Sequence, residues 1–292
     1  MDGIEKEIFP EEATREQFIV DQFERVKLDI RAYPKLFDRF KRLHGSESRH
    51  FEDAAQMAEI IDAIWPELEA ELPFKLDKEK LLQTTLLHDV GKSGPEEATE
   101  EEQDLVVSFF NPSHYRKIVE SGADIKKTPV IDALRGSDLD LSVQIKIANA
   151  LKKWGINYET EKMIDLWQRH ADWTFDILAP AQDQKITREL AVAAASHHIL
   201  DGKNPAGINP EEIPGEAKTL EIVESYEVIT LVDKFQAFVK RSGLTHNEAV
   251  AVLRGIIDKQ SLPDKVKDDY RKILGIIDRS GEKLQTVLKP RQ

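Results

Sequence analysis

The sequence predicts an all-α protein, a helical bundle. Three observations carry the fold class: apolar residues recur at three- and four-residue spacing along nearly the whole chain, no run of alternating β-branched residues bounded by turns breaks that rhythm, and proline and glycine clusters cut it into helix-length pieces. In chain order, helices are expected over 12–31 and 34–43, separated at Pro34, and over 49–65, closed by Pro66 with Pro73 beyond it. The next, 78–90, stops at Gly91-Lys92-Ser93-Gly94-Pro95. Helix 100–110 opens on Thr99 with Glu102 three residues on, a capping box, so the acidic run Glu96 to Glu102 reads as a solvated helix start favoured by the helix dipole. Then come 112–121, 139–153 and 159–178, the last closed by Pro180. Helix 187–200 leads into a Gly/Pro/Asn-rich segment from Asp201 to Gly215. Helices 216–241, 245–260 and 264–288 complete the chain, the last broken near Gly275 or Gly281.

Composition excludes several classes of function. With 292 residues, 41 basic and 54 acidic side chains and a net charge of −13, the chain does not offer the broad basic surface that a nucleic acid duplex requires. A hydrophobic fraction of 40% suffices for a sizeable core. No apolar run approaches the roughly 18 residues of a membrane span. The acidic, polar N-terminus lacks the basic start and apolar stretch of a secretory signal, so the expected location is the cytoplasm and no membrane partner is expected. The absence of cysteine removes disulfides, thiolate nucleophiles, zinc ribbons and cysteine-held clusters, and any metal must be held by imidazole and carboxylate. Gly91-Lys92-Ser93 is not the tail of a phosphate-binding P-loop, because that motif needs glycine where Leu86 stands. No G-x-S-x-G turn marks a nucleophilic serine.

The eight histidines are the most informative residues. His50 heads the series Ala54, Met57, Ile61 and Ile64, in line with a buried stripe. His88 follows Leu81 and Thr84, and Asp89 follows Leu82 and Leu86, so an imidazole and a carboxylate end one buried helix just before Gly91. His170 continues Met163 and Trp167. His197 and His198 close a helix of small residues, Ala191, Ala194 and Ala195, and Asp233 continues Tyr226, Ile229 and Thr230. Each alone reads as a hydrogen-bonded core residue. Together, five imidazoles and two carboxylates aimed into an apolar helical core are satisfied in common by one or two dications. His44, His114 and His246 fall in loops and caps and read as surface residues, and Glu47 and Glu52 as solvated neighbours of His50.

In this order the residues resemble the HD superfamily of metal-dependent phosphohydrolases through most of 46–255: a first histidine (His50), a His-Asp pair (His88-Asp89), further histidines (His170, His197) and a late aspartate (Asp233). Leu86-Leu87-His88-Asp89-Val90-Gly91-Lys92 is similar to the superfamily's LLHDxGK signature. The second half resembles the HD-GYP branch, whose members hydrolyse cyclic di-GMP. His197-His198, Asp201-Gly202, Pro205, Gly207-Ile208, Glu212-Ile213-Pro214 and the run from Asp233 to Ala237 follow that branch. The sequence departs from it where Ile199 replaces glutamate, where Lys203-Asn204-Pro205 replaces Gly-Tyr-Pro, and where Gln236 replaces aspartate. The long interval from Asp89 to His170 is accounted for by an inserted helical segment, 96–157. That interval also resembles the di-iron oxygenases related to myo-inositol oxygenase.

The resemblance implies a metal-binding catalytic domain over 46–255, with N-terminal helices in 1–45 and C-terminal helices in 256–292 that pack on the core or pair with a second copy in a homodimer. It implies two divalent metal ions, iron or manganese first, with zinc, nickel, cobalt or magnesium compatible. Asp89 would bridge them, His50, His88 and Asp233 would complete one ion's ligands, and His170, His197 and His198 the other's. A water shared by two such ions ionises near neutral pH and can attack a phosphoester, and Lys92 would meet a substrate phosphate as a point charge with Ser93 as a second donor. The expected activity is hydrolysis of a small phosphorylated substrate, a nucleotide or cyclic dinucleotide. The alternatives are a di-iron oxygenase and a signalling module that keeps the fold without catalysis.

Overall fold

The computed structural model describes residues 10–45, 49–181, 183–201 and 225–288. Among them the chain forms α1 (Pro10–Arg25), α2 (Pro34–Gly45), α3 (His50–Glu71), α4 (Lys78–Leu87), α5 (Glu100–Phe109), α6 (Arg116–Glu120), α7 (Val130–Gly136) and α8 (Leu141–Lys153). It continues with α9 (Met163–Leu178), α10 (Arg188–Ala195), α11 (Ser225–Lys240), α12 (His246–Lys259), α13 (Asp264–Arg279) and α14 (Gly281–Leu288). No strand occurs among the described residues, whose only extended pairing is an isolated bridge between Pro129 and Lys162. None of these helices is long and apolar enough to cross a membrane.

The helix starts follow side-chain chemistry. Asp77, Thr99, Thr187 and Thr245 each accept a backbone N–H of the first turn they precede, and Thr99–Glu102 and Thr245–Glu248 form complete capping boxes. Several elements differ from the periodicity reading. The first helix stops at Arg25 rather than at 31, because Lys27 takes a left-handed φ of 55° and the chain resumes as a short 3₁₀ turn, Ile30–Ala32. Helix α3 runs through Pro66 to Glu71; Pro66 lies on the exposed face, where the carbonyl it leaves unbonded meets water, while Ile61, Ile64, Trp65 and Leu68 keep the opposite face buried. Helix α7 was not foreseen. The last predicted helix breaks at Ser280–Gly281, the second of the two positions expected. Residues 216–224 of the predicted 216–241 helix lie outside the described residues.

Two apolar cores result. The larger gathers buried residues of α1 to α4 and α9 to α14, with α3 packed against α4, α11, α13 and α14. The smaller is built from Val106, Phe109, Tyr115, Val130, Leu134, Ile147, Leu151, Met163, Leu166 and Trp173, and so draws mostly on the segment 96–157 and on one face of α9. Helix α9 touches both cores and also packs against the 3₁₀ turn Val90–Ser93. Arg39 of α2 secures that turn from the other side. Its buried guanidinium donates to Ser93 Oγ (2.8 Å), Gly94 O (3.0 Å), Pro95 O (2.7 Å) and Glu96 O (3.0 Å), satisfying carbonyls that no helix uses.

Candidate metal centre

Helix α4 ends at His88, and Asp89, with φ −104° and ψ 9°, turns the chain into the 3₁₀ turn. This turn can lie directly on α9 because Gly91 has no side chain. Thr174 Oγ1 joins the two elements, donating to His88 O at 2.9 Å and accepting the Gly91 N–H at 3.0 Å. One helical turn before Thr174, α9 presents His170, and the end of α10 presents His197 and His198. Three separate chain segments thereby gather four imidazoles and one carboxylate.

The orientation of the rings decides what they can do. His88 Nδ1 lies 2.6 Å from Thr85 O, His197 Nδ1 lies 2.7 Å from Ala194 O, and His170 Nδ1 bonds Trp167 O. A carbonyl only accepts, so each Nδ1 carries the hydrogen and each Nε2 is left with a lone pair. His198 is set the same way by a carboxylate, its Nδ1 3.0 Å from Asp201 Oδ2, while Lys234 Nζ holds Asp201 Oδ1 at 2.6 Å. These lone pairs converge. His170 Nε2 is 2.9 Å from His197 Nε2, 3.2 Å from His198 Nε2 and 3.1 Å from Asp89 Oδ1. His197 Nε2 is 3.7 Å from the same oxygen, and His88 Nε2 is 3.4 Å from Asp89 Oδ2 with no hydrogen-bond partner among the described residues.

Acceptors facing acceptors at such distances repel unless an electrophile lies among them. Protons are a poor choice: burial pulls His170 down to about 4 and His197 well below the ordinary imidazole value. A divalent cation fits better, because metal–ligand bonds of about 2.0–2.2 Å set neighbouring donor atoms about 3–3.5 Å apart. Among the described residues two groups have the required closeness, His170 with His197 and His198, and His88 with Asp89 and His197, the ligand atoms of each lying within 4.8 Å of one another. The buried His/Asp cluster can therefore hold a metal ion, and its helical setting is compatible with an HD-type fold.

The grouping differs from the ligand split expected from the resemblance. Asp89, His88, His170, His197 and His198 come together, with His197 shared between the two groups, whereas His50 and Asp233 belong to neither. His50 is buried at the start of α3, and both of its ring nitrogens lack a hydrogen-bond partner among the described residues. It lies close enough for Lys92, Asp89 and His170 to act on its charge, although burial is the main reason its protonation is suppressed. Asp233, half-buried on α11, lies in the field of Arg241; desolvation opposes the guanidinium's charge, but Asp233 and then Asp53 hold its pKa above the ordinary value.

Lys92, expected to face substrate, bonds Asp89 Oδ2, and its side chain is 10% exposed. Burial raises the Asp89 carboxyl, but His88 and Lys92 outweigh that and hold it well below the usual carboxylate range. Ser93 is corrected as a substrate donor: it is fully buried, its hydroxyl donates to Val90 O at 2.6 Å and accepts from Arg39. Gln236, which stands where the HD-GYP pattern has aspartate, donates to Asp53 O at 3.0 Å and Gln56 Oε1 at 2.9 Å, tying α11 to α3. His44 is less exposed than its position suggested, stacked on Phe18 and 3.0 Å from Glu52 Oε1. Glu47 and the run from Gly202 to Pro214 lie outside the described residues. Sequence reasoning missed Arg39 and Thr174, although each continues a buried stripe, with Leu36, Phe40 and Leu43 in one case and one turn beyond His170 in the other.

The buried imidazoles also make the metal-free protein acid-sensitive. An unfolded histidine takes up a proton near 6.5, whereas folded His170 does so only near 4. Between those values the unfolded chain binds more protons, so stability falls as pH falls. His170 alone should remove about 2 kcal/mol between pH 6.5 and 5, with His197 and His50 acting in the same direction. Urea denaturation of metal-free protein at the two pH values measures it; an unchanged midpoint would mean that these rings are not held neutral. No protein-family model, curated protein or solved structure matches this chain, and what the centre does has to be read from its own atoms.

Proposed function

We propose that this protein is a metal-dependent phosphohydrolase of the HD type that cleaves a small phosphorylated substrate, a nucleotide or cyclic dinucleotide. The observation that carries this reading is the convergence of four Nε2 lone pairs, each with its Nδ1 turned onto an acceptor: those of His88, His170 and His197 face the two oxygens of Asp89, and that of His198 faces His170 Nε2. Asp89 Oδ1 faces His170 and His197 while Oδ2 faces His88 and Lys92, so one carboxylate offers an oxygen to each of two neighbouring groups and suits two divalent ions, iron or manganese. His88, His170, His197 and His198 would hold the ions, with their Nδ1 partners fixing ring orientation as the groups behind the ligands do in other metal sites. Bound divalent ions supply Lewis acidity to phosphoryl oxygens and to water. Lys92 places an ammonium beside Asp89, where it can pass from the carboxylate to a substrate phosphate oxygen. Asp201 and Lys234 keep the His198 ring from turning away.

Purified protein loaded with manganese or ferrous iron and offered phosphodiesters and phosphomonoesters, nucleotides and cyclic dinucleotides included, should release phosphate or a nucleoside monophosphate, and a chelator should stop it. Metal uptake without turnover of any phosphoester, or oxygen consumption with reduced iron in its place, overturns the hydrolase reading.

A further inference from the structure

Away from the histidine–aspartate cluster, the segment 108–138 brings together three side chains that no sequence motif announces. Ser108 is half-buried in the last turn of α5, His114 belongs to the 3₁₀ turn Pro112–Tyr115, and Asp138 precedes α8. His114 Nδ1 lies 2.6 Å from Asp138 Oδ1, and its Nε2 lies 3.2 Å from Ser108 Oγ. The Asp138 N–H also donates to His114 O at 3.1 Å, so backbone and side chain fix the pair together. Because the carboxylate accepts from Nδ1, the Nε2 lone pair faces the serine hydroxyl, the arrangement in which an imidazole can remove that proton. Such a constellation is recognised by geometry and roles, not by sequence order or fold.

Ser108 and His114 also border a cavity of ≈ 450 Å³, together with Val107, Asn111 and Arg42. That volume suits a small organic ligand. Asp104 also lines this space, and Arg42 is held there by Asp104 (3.1 Å), Glu100 (2.8 Å) and Asp38 O (3.1 Å). None of the cavity's lining residues is a metal-ligand candidate.

We propose that Ser108, His114 and Asp138 form a second, metal-independent site that hydrolyses small carboxylic esters. Ser108 Oγ attacks the ester carbonyl carbon and its proton passes to His114 Nε2. The tetrahedral adduct collapses with cleavage of the carbon–oxygen bond to the alcohol, which leaves with the proton from His114. Water, deprotonated by His114, then attacks the acyl-serine; the carboxylic acid departs and Ser108 recovers its proton. Ester and water are consumed, acid and alcohol are formed, and no other reactant is needed. Asp138 holds the imidazole in the tautomer this requires and acts as a positioning residue.

The test uses the full chain with a fluorophosphonate serine reagent and with 4-nitrophenyl acetate. Wild-type protein should gain one phosphonyl adduct, mapped by mass spectrometry to Ser108, and turn over the ester with or without a chelator. Ser108→Ala should carry no adduct, and His114→Gln should slow labelling about 100-fold or more while keeping the wild-type melting temperature within a few degrees. Absence of an adduct on the wild-type protein overturns the proposal whatever the variants do. So does labelling that survives Ser108→Ala, or ester turnover that a chelator abolishes, since the latter assigns it to the metal centre.

Discussion

Gly91→Ala should cost about 4 kcal/mol of folding stability or more and should remove metal binding with it. A Cβ at this position would stand 2.0 Å from His170 O, 2.6 Å from Thr174 N and 2.8 Å from Thr174 Oγ1. The two nearest atoms are backbone of α9, which cannot yield by a rotamer change. Relief requires the Val90–Ser93 turn to lift off α9, and this breaks the Thr174 bonds to Gly91 N and His88 O. Asp89 then moves away from His170, so the steric change reaches the metal ligands through a single layer of atoms. Gly255→Ala is the matched control: it lies within α12, nothing would come within 4 Å of its new Cβ, and it should gain about 0.5–1 kcal/mol from helix propensity. Urea denaturation of both variants, with elemental analysis of metal-loaded samples, measures the contrast. A Gly91→Ala protein as stable as wild type would sink the close-approach account.

Most of the helical architecture was legible because three- and four-residue spacing reports directly which face of a helix is buried. It misjudged Pro66, since a proline on an exposed face of a helix held by Ile61, Ile64 and Leu68 loses one hydrogen bond to water without ending the helix. The imidazoles at 88, 170, 197 and 198 were legible as inward-facing for the same reason. Their grouping was not. Whether His197 shares a group with His88 or with His170 depends on how α4, α9 and α10 cross, and spacing within one helix carries no information about crossing. Thr174 and Arg39 show a second limit. Each sits on a buried stripe where its position could be read, but the partners, His88 O across 86 residues and Gly94 O across 55, are long-range backbone atoms without side-chain identity. The Ser108–His114–Asp138 cluster depends on a turn bringing residues six and twenty-four apart into contact, and no short motif encodes it.

Asp89→Asn should lower affinity for manganese or iron at least about 100-fold, because the amide keeps the shape of the carboxylate but removes its charge and one of its two acceptor oxygens. The same substitution has a separate effect on folding. Lys92 Nζ bonds Asp89 Oδ2 within a nearly closed site, the two side chains being 10% and 7% exposed. Removing one partner leaves an ammonium without its counter-charge, and breaking a buried pair of this kind costs about 3 kcal/mol. Loss of metal binding in Asp89→Asn alone is therefore open to two physical causes, a missing ligand or a loosened turn. The double variant Asp89→Asn/Lys92→Met separates them. It removes both charges and keeps an unbranched side chain at 92, so the metal-free stability should return to within about 1 kcal/mol of wild type. Its metal affinity should stay as low as that of Asp89→Asn. Denaturation midpoints of the metal-free proteins, read beside calorimetric metal titrations, distinguish the outcomes. Recovery of metal binding in the double variant would show that Asp89 acts by neutralising Lys92 and is not itself a ligand.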